Sequence, residues 1–196
     1  MKKGIIVLIA IAGILILGVF WGISKYNGLV SKDEAVNGQW ANVENQYQRR
    51  ADLIPNLVAT VKGYAKHESE TLEGVVAARA KATQVTVDAD NLTSEKLQKY
   101  QAAQGELTSA LGKLLMITEN YPELKANQNF IELQSQLEGT ENRITTERGR
   151  FNDLAKEFNA SIRKFPTNII ASITGFDKKA YFEAEAGSEK APKVEF

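Results

Sequence analysis

Residues Gly4–Ile23 form an unbroken apolar run, GIIVLIAIAGILILGVFWGI, with no charged or strongly polar side chain. At about 1.5 Å rise per residue, a helix of this length crosses a hydrocarbon core of about 30 Å. A run that is apolar on every face is no amphipathic helix of a soluble core. It therefore divides the chain into an anchor, residues 1–24, which meets the lipid bilayer through residues 4–23, and a polar payload after Ser24.

A cleaved secretory signal would show a shorter apolar core and a small-x-small cleavage site. Lys2 and Lys3 fit its basic start, but Val19-Phe20-Trp21-Gly22-Ile23-Ser24 offers only Gly22 and Ser24 as a small pair. No cysteine exists to carry a lipid. Trp21 and Tyr26 stand where an interfacial aromatic belt belongs. The run reads as an uncleaved single-pass span. Lys2, Lys3 and the α-amino group before it, against Lys25 and Lys32 after it, bias the N-terminus slightly towards the cytoplasm. The short segment ahead of the span agrees, and the payload is expected outside the cytoplasm, at the inner membrane.

Composition narrows the payload further. The whole chain balances 24 cations against 24 anions; setting aside Lys2 and Lys3 leaves 22 against 24, a net of −2. A nucleic-acid binder would carry a basic face, so no nucleic-acid partner is expected. The lack of cysteine removes disulfide staples and thiol chemistry on either side of a membrane.

Beyond a neck at residues 25–30, Ser31-Lys32-Asp33-Glu34 has the spacing of a capping box. From there an apolar stripe advances by fours and threes: Val36, Trp40, Val43, Tyr47, Arg50, Ile54, Leu57, Val61, Tyr64, Glu68, Thr71, Val75, Ala78, Ala82. Such a seam is a strong helix signal. Pro55 interrupts it, and a straight helix through proline costs about 3 kcal/mol. Asp52 has the position to cap a fresh helix with Pro55 in its first turn. A break or sharp kink is expected near Ala51–Asp52.

After a connector at Val85–Leu92, Thr93 caps a second seam: Leu97, Tyr100, Gln104, Leu107, Leu111, Leu114, Thr118, Tyr121. Tyr121-Pro122 ends it. A third runs through Phe130, Gln134, Leu137, Glu141, Ile144, Arg148, Phe151, Ala155, Phe158, Ile162 and Phe165, and Phe165-Pro166 stops it. A short apolar piece follows to Phe182, with Gly175-Phe176 and Tyr181-Phe182 as its packing contacts. Residues 183–196 read as a mobile tail. Long helices with short connections make an all-α payload, an antiparallel up-and-down four-helix bundle over residues 31–182.

Polar residues punctuate the seams. Arg50, Glu68, Glu141 and Arg148 are expected as buried register pairs, with a functional polar track as the alternative. No catalytic constellation accompanies them. His67 is the single histidine, and Thr71 occupies the place where a zinc helix would need the second. No Glu has a histidine three residues on, and Gly63, Gly74, Gly105 and Gly112 are isolated. No metal, cofactor or enzymatic activity is expected. Asn91-Leu92-Thr93 and Asn159-Ala160-Ser161 match the glycosylation pattern, which chance supplies often. Val194-Glu195-Phe196 has the form captured by strand-addition domains; a tail that folds back or hangs free explains it more simply.

The stretch Gln46–Ala82, with Trp40-Ala41-Asn42-Val43-Glu44 before it, resembles the LemA family of bacterial membrane proteins. The similarity covers nearly the full chain. It includes the span, Tyr26-Asn27-Gly28-Leu29-Val30, Phe165-Pro166, Gly175-Phe176 and the terminal Pro192-Lys193-Val194-Glu195-Phe196. It implies a single-pass bacterial protein with an antiparallel four-helix bundle. It implies no activity and no catalytic residues. Of the family-typical polar positions, Asp52 and Arg50 have cap and register roles. Lys62, His67 and Arg79 do not, and they are the candidate surface for an envelope protein partner. The function expected is an interaction or scaffold role; the alternative is a small-ligand-binding or enzymatic bundle with a polar interior.

Overall fold

The computed structural model describes residues 2–183, with side chains from Gly4 onward. The chain is all-helical, with no strand among the described residues. Helix α1 spans Lys2–Tyr64, α2 Ser69–Gln84, α3 Ser94–Thr118, α4 Pro122–Lys125, α5 Gln128–Arg163 and α6 Thr167–Thr174. A 3-10 turn at Ala89–Asn91 lies between α2 and α3. The tail at 184–196, the Val194-Glu195-Phe196 terminus and the Lys2 and Lys3 side chains fall outside the described residues.

The first helix joins the apolar run to everything that follows. At 63 residues it is about 95 Å long. Its N-terminal third is long and apolar enough to cross a membrane, and none of that stretch is buried against the rest of the chain. The neck is helical and already packed, with Leu29 buried. Ser31 therefore sits inside a helix, and its capping-box spacing with Glu34 starts nothing. The seam then follows its expected course through Val36, Trp40, Val43, Tyr47, Ile54, Leu57 and Val61, all buried.

The expected break near Ala51–Asp52 does not occur, and α1 runs straight through Pro55. Proline has no N–H for the carbonyl of Ala51 four residues back. Arg79 on α2 supplies the missing donor: its Nε gives a 2.7 Å hydrogen bond to that oxygen. The chain reverses later, at Ala65–Glu68, where Ala65 is buried in place of Tyr64. The seam from Val36 to Ala82 is thus two antiparallel helices, not one.

Paired residues give the direction of packing. Lys32 meets Glu157, Gln39 meets Glu147 and Arg50 meets Glu141, so α1 and α5 run antiparallel. Lys81–Glu106 and Glu68–Tyr121 set α2 against α3 in the same sense. Thr93 Oγ1 caps α3 and Asn127 Oδ1 caps α5, each accepting from the N–H three residues on. The α3 seam is buried from Leu97 to Thr118 in the expected register. In α5 the apolar seam positions are buried from Phe130 to Phe158, but Glu141, expected among them, is exposed while Thr140 is buried, and Phe165 lies past the helix end and is exposed.

After α6 and Gly175, which takes the left-handed conformation (φ 77°) that glycine tolerates best, the chain lies extended along α5. Two asparagines hold it. Asn159 accepts from the N–H of Lys179 and donates to its carbonyl, both at 2.9 Å. Asn152 does the same for Phe182 at 2.8 and 2.9 Å. Seven residues of helix advance about 10.5 Å, and three residues of extended chain about 10 Å, so the two clamps fall in step. The clamps seat Phe182 against Trp40 and Phe151, with ring centroids at 5.8 and 5.4 Å. Asn159 is buried with its amide committed, so the second glycosylation match has no acceptor to offer.

Candidate functional site

The packed interior has two apolar clusters. One gathers Trp40, Tyr47, Tyr100, Phe151, Phe158 and Phe182 on the side nearer the apolar run. The other gathers Ile54, Leu57, Val61, Leu107, Leu114 and Phe130 on the far side. Between them lies a polar layer centred on Arg50, whose side chain is 2% exposed. Its Nη1 donates to Thr108 Oγ1 at 2.9 Å and Glu141 Oε2 at 2.8 Å. Its Nη2 donates to Gln104 Oε1 at 2.7 Å and to the Gln104 carbonyl at 3.3 Å. The guanidinium also stacks over Tyr47, 5.1 Å from the ring centroid. Gln104 donates in turn to the carbonyl of Ala82. One cation thereby links α1, α2, α3 and α5.

This layer fits a register device. A buried guanidinium is costly without a matched anion and filled hydrogen bonds, and here the anion is Glu141, whose side chain remains 48% exposed. Arg50 Nε has no partner. Beside it is a cavity of about 160 Å³ lined by Thr108, Leu111, Gln134, Leu137 and Glu141. The other two expected register residues sit elsewhere. Glu68 is at the α1–α2 turn, half-buried, accepting from the Tyr121 hydroxyl at 3.0 Å. Arg148 lies over the Phe182 ring at 4.8 Å and donates to the carbonyl of Glu183. Both lost the interior because the seam changes helices at Ala65 and because the extended C-terminal segment covers α5 where Arg148 points.

The three candidate surface residues do not form one patch. Arg79 is held at Ala51 by its backbone bond. Lys62 is eleven residues further along α1, about 16 Å along the axis. It borders a groove of about 600 Å³ between α1 and α2, floored by Val58, Leu72 and Val76 and flanked by Lys66 and Glu73. His67 is exposed in the turn beyond it. Lys62 and His67 thus share the end of the protein opposite the apolar run.

Sequence reasoning missed Lys179. This lysine is buried, paired with Asp33 Oδ1 at 2.9 Å, bonded to Asn37 Oδ1 at 3.1 Å and placed 5.9 Å from the Phe158 ring centroid. It borders a polar hollow of about 360 Å³ with Asp33, Asp90 and Lys178. Nothing in a helical period marks a residue that is buried from an extended segment. Gln104 was visible in the α3 seam, but its bond to Arg50 required the tertiary register.

Burial shifts several acids. Desolvation lifts the Tyr100 phenol well above its ordinary value of 10.0 and raises Tyr47 beside it. Glu44 is raised chiefly by burial, with Asp88 adding to it against a lowering bond from Trp40. Tyr121 is raised because it donates to the Glu68 carboxylate. Glu44, Tyr47 and Tyr100 line one hollow of about 280 Å³ together with Thr83 and Thr86. Among the described residues, no three His, Asp or Glu side chains converge to hold a metal ion.

A sequence model described as the LemA family matches residues 39–196. Magnetosome proteins MamQ 1 and MamQ 2 of Paramagnetospirillum magneticum are each 29% identical over 184 residues, covering 84% of this chain and 67% of theirs. Protein LemA of Metamycoplasma hominis is 25% identical over 173 residues, covering 87% of this chain and 75% of its own length.

Proposed function

The chain belongs to the LemA family, and from that premise we propose a membrane-anchored four-helix bundle that acts as an interaction or scaffold module. Residues 4–23 are the anchor, in the inner membrane of a bacterial cell with the N-terminus cytoplasmic. The α1 stalk, α2, α3 and α5 form an antiparallel up-and-down bundle outside the cytoplasm. An envelope protein is the partner, and nucleic acid is not.

One observation carries this reading. The apolar run and the packed part of α1 are a single helix, so the end that bears Lys62, Lys66 and His67 stands about 60 Å from the end of the run. A rigid rod with an open apolar groove at its tip suits presentation. The groove floor of Val58, Leu72 and Val76, with Lys62 and Lys66 against the single carboxylate of Glu73 on its rim, has the chemistry for an amphipathic helix bearing acidic residues.

The test is crosslinking in native membranes from single cysteines at Lys62 and Val76, against a control cysteine at Lys25, followed by mass spectrometry. One protein joined at both groove positions and not at Lys25 is the expected product. Loss of the Val76→Cys product in a Lys62→Ala, His67→Ala background would strengthen the reading; no groove-specific product would end it.

A second reading draws on the cavity that Arg50 borders with Thr108, Gln134 and Glu141. It makes the polar layer a small-ligand site. Glu141 already balances the cation, which leaves only a small neutral molecule to fit. A ligand-dependent rise in melting temperature that Arg50→Met abolishes would favour this reading over the scaffold.

A further inference from the structure

The two most exposed large apolar side chains among the described residues lie in neither the apolar run nor the groove. They are Phe165 at 81% and Ile173 at 80%, against 70% for Leu17, the most exposed large side chain of the run. Ile169, one turn before Ile173 on the same stripe of α6, is 51% exposed. Scattered apolar residues on a surface mean little. Ile169 and Ile173 share one stripe of α6, Phe165 lies two residues before that helix, and their height on the rod is defined.

The α1–α5 register gives that height. Lys32 meets Glu157. One heptad down α1 is Lys25, and one heptad up α5 is Lys164, so the α5–α6 corner lies level with the last residues of the run. At the other end of α6, Phe176 packs on Tyr26 with ring centroids 5.9 Å apart. Both ends of α6 thus stand at the level of Lys25–Tyr26, about 3–5 Å beyond Ile23 along α1. Ala171 is buried on the inner face of α6, and Ile169 and Ile173 face away from the protein. Arg163 and Lys164 are exposed at the same corner.

We propose that the α5–α6 corner is a second membrane contact, with Phe165, Ile169 and Ile173 seated in the headgroup–acyl boundary of the leaflet from which α1 emerges. The occupant is lipid because the patch is continuous in height with the span. Arg163 and Lys164 supply the cations that anionic headgroups attract, and an amphipathic helix lying flat buries its apolar face in this zone. The contact fixes the tilt of the rod as well as its attachment, since two points of contact remove a freedom that one span leaves. It rests on residues 4–23 being a bilayer anchor.

The chain has no cysteine, so single probes are simple to place. Full-length Ile173→Cys, Ile14→Cys and Met116→Cys, each carrying an environment-sensitive fluorophore, go into phosphatidylcholine–phosphatidylglycerol vesicles. Quenching is read with lipids bearing a nitroxide near the headgroup or deep in the acyl chain. The probe at 173 is expected to lose roughly half its emission to the shallow nitroxide, as fits a face seated ~5–10 Å into the boundary. The probe at 14 responds to the deep one, and the probe at 116 to neither. A quenched 14 with an unquenched 173 overturns the second contact and leaves the anchor standing. An unquenched 14 overturns the anchor, and the contact with it. A probe at 173 that is shielded from water, unquenched by lipid and crosslinked to another copy assigns the face to self-association and also overturns the contact.

Discussion

Arg79 and Pro55 are one device made of two residues. The proline removes the donor that Ala51 would have had, and the arginine returns one from a neighbouring helix. A hydrogen bond to a charged donor contributes about 1.5–3 kcal/mol, comparable with the cost that proline imposes on a helix interior. The two must therefore be coupled. Arg79→Ala should lower stability in urea by about 2 kcal/mol and by much less in a Pro55→Ala background, where the new alanine brings its own N–H. Equal losses in both backgrounds would show that the bond does not replace the missing one. A second test lies in Tyr100. Burial favours its neutral phenol in the folded chain, so its pKa is raised. The stability tied to that shift is complete below pH 10.0, the ordinary value, and is lost as pH rises above it. Tyrosinate absorbance should show Tyr47 and Tyr100 ionising only as the chain unfolds. Tyr100→Phe should extend the stable range to higher pH. All six tyrosines titrating together near pH 10 without unfolding would contradict the burial argument.

The helices themselves were largely legible. Thr93 at the start of α3 and the Phe165-Pro166 stop were readable because each acts through its own few neighbours. The seams were readable because burial repeats with the helix. What was not legible depended on partners distant in sequence. Pro55 looked like a helix start because the donor that rescues Ala51 lies 28 residues away. Glu68 looked internal because period alone gives no sign that the seam turns back at Ala65. Of the candidate site residues, Arg50 was readable as an inward cation, whereas its fork to Gln104, Thr108 and Glu141 needed two other helices in register. The extended segment after α6 has no period at all, yet it carries the buried Lys179 and Phe182. Its clamps give a prediction. Asn159→Ala removes both bonds to Lys179 and should cost about 2–3 kcal/mol. Hydrogen exchange should accelerate at residues 179–182 far more than in α3. Uniform acceleration would mean that the segment is not a separate element.

The proposed bundle, the stalk and the span share α1, and this continuity gives the molecule its mechanical character. The aromatic cluster around Trp40 packs the half nearer the span, and the aliphatic cluster packs the tip. The Arg50 layer lies between the two. The groove at the tip, the clamped segment and the α5–α6 corner all take their positions from that rod. The most direct measurement is the length of α1 in the full protein in a lipid nanodisc. Gly28 and Gly63 are exposed, and a side chain added at either meets nothing within 4 Å. Spin labels at Gly28→Cys and Gly63→Cys, read by electron–electron dipolar spectroscopy, should give one narrow distribution centred at about 52 Å, the rise of 35 helical residues. A shorter or broad distribution would mean that α1 breaks near Pro55, and the rigid connection between membrane and tip would fall with it.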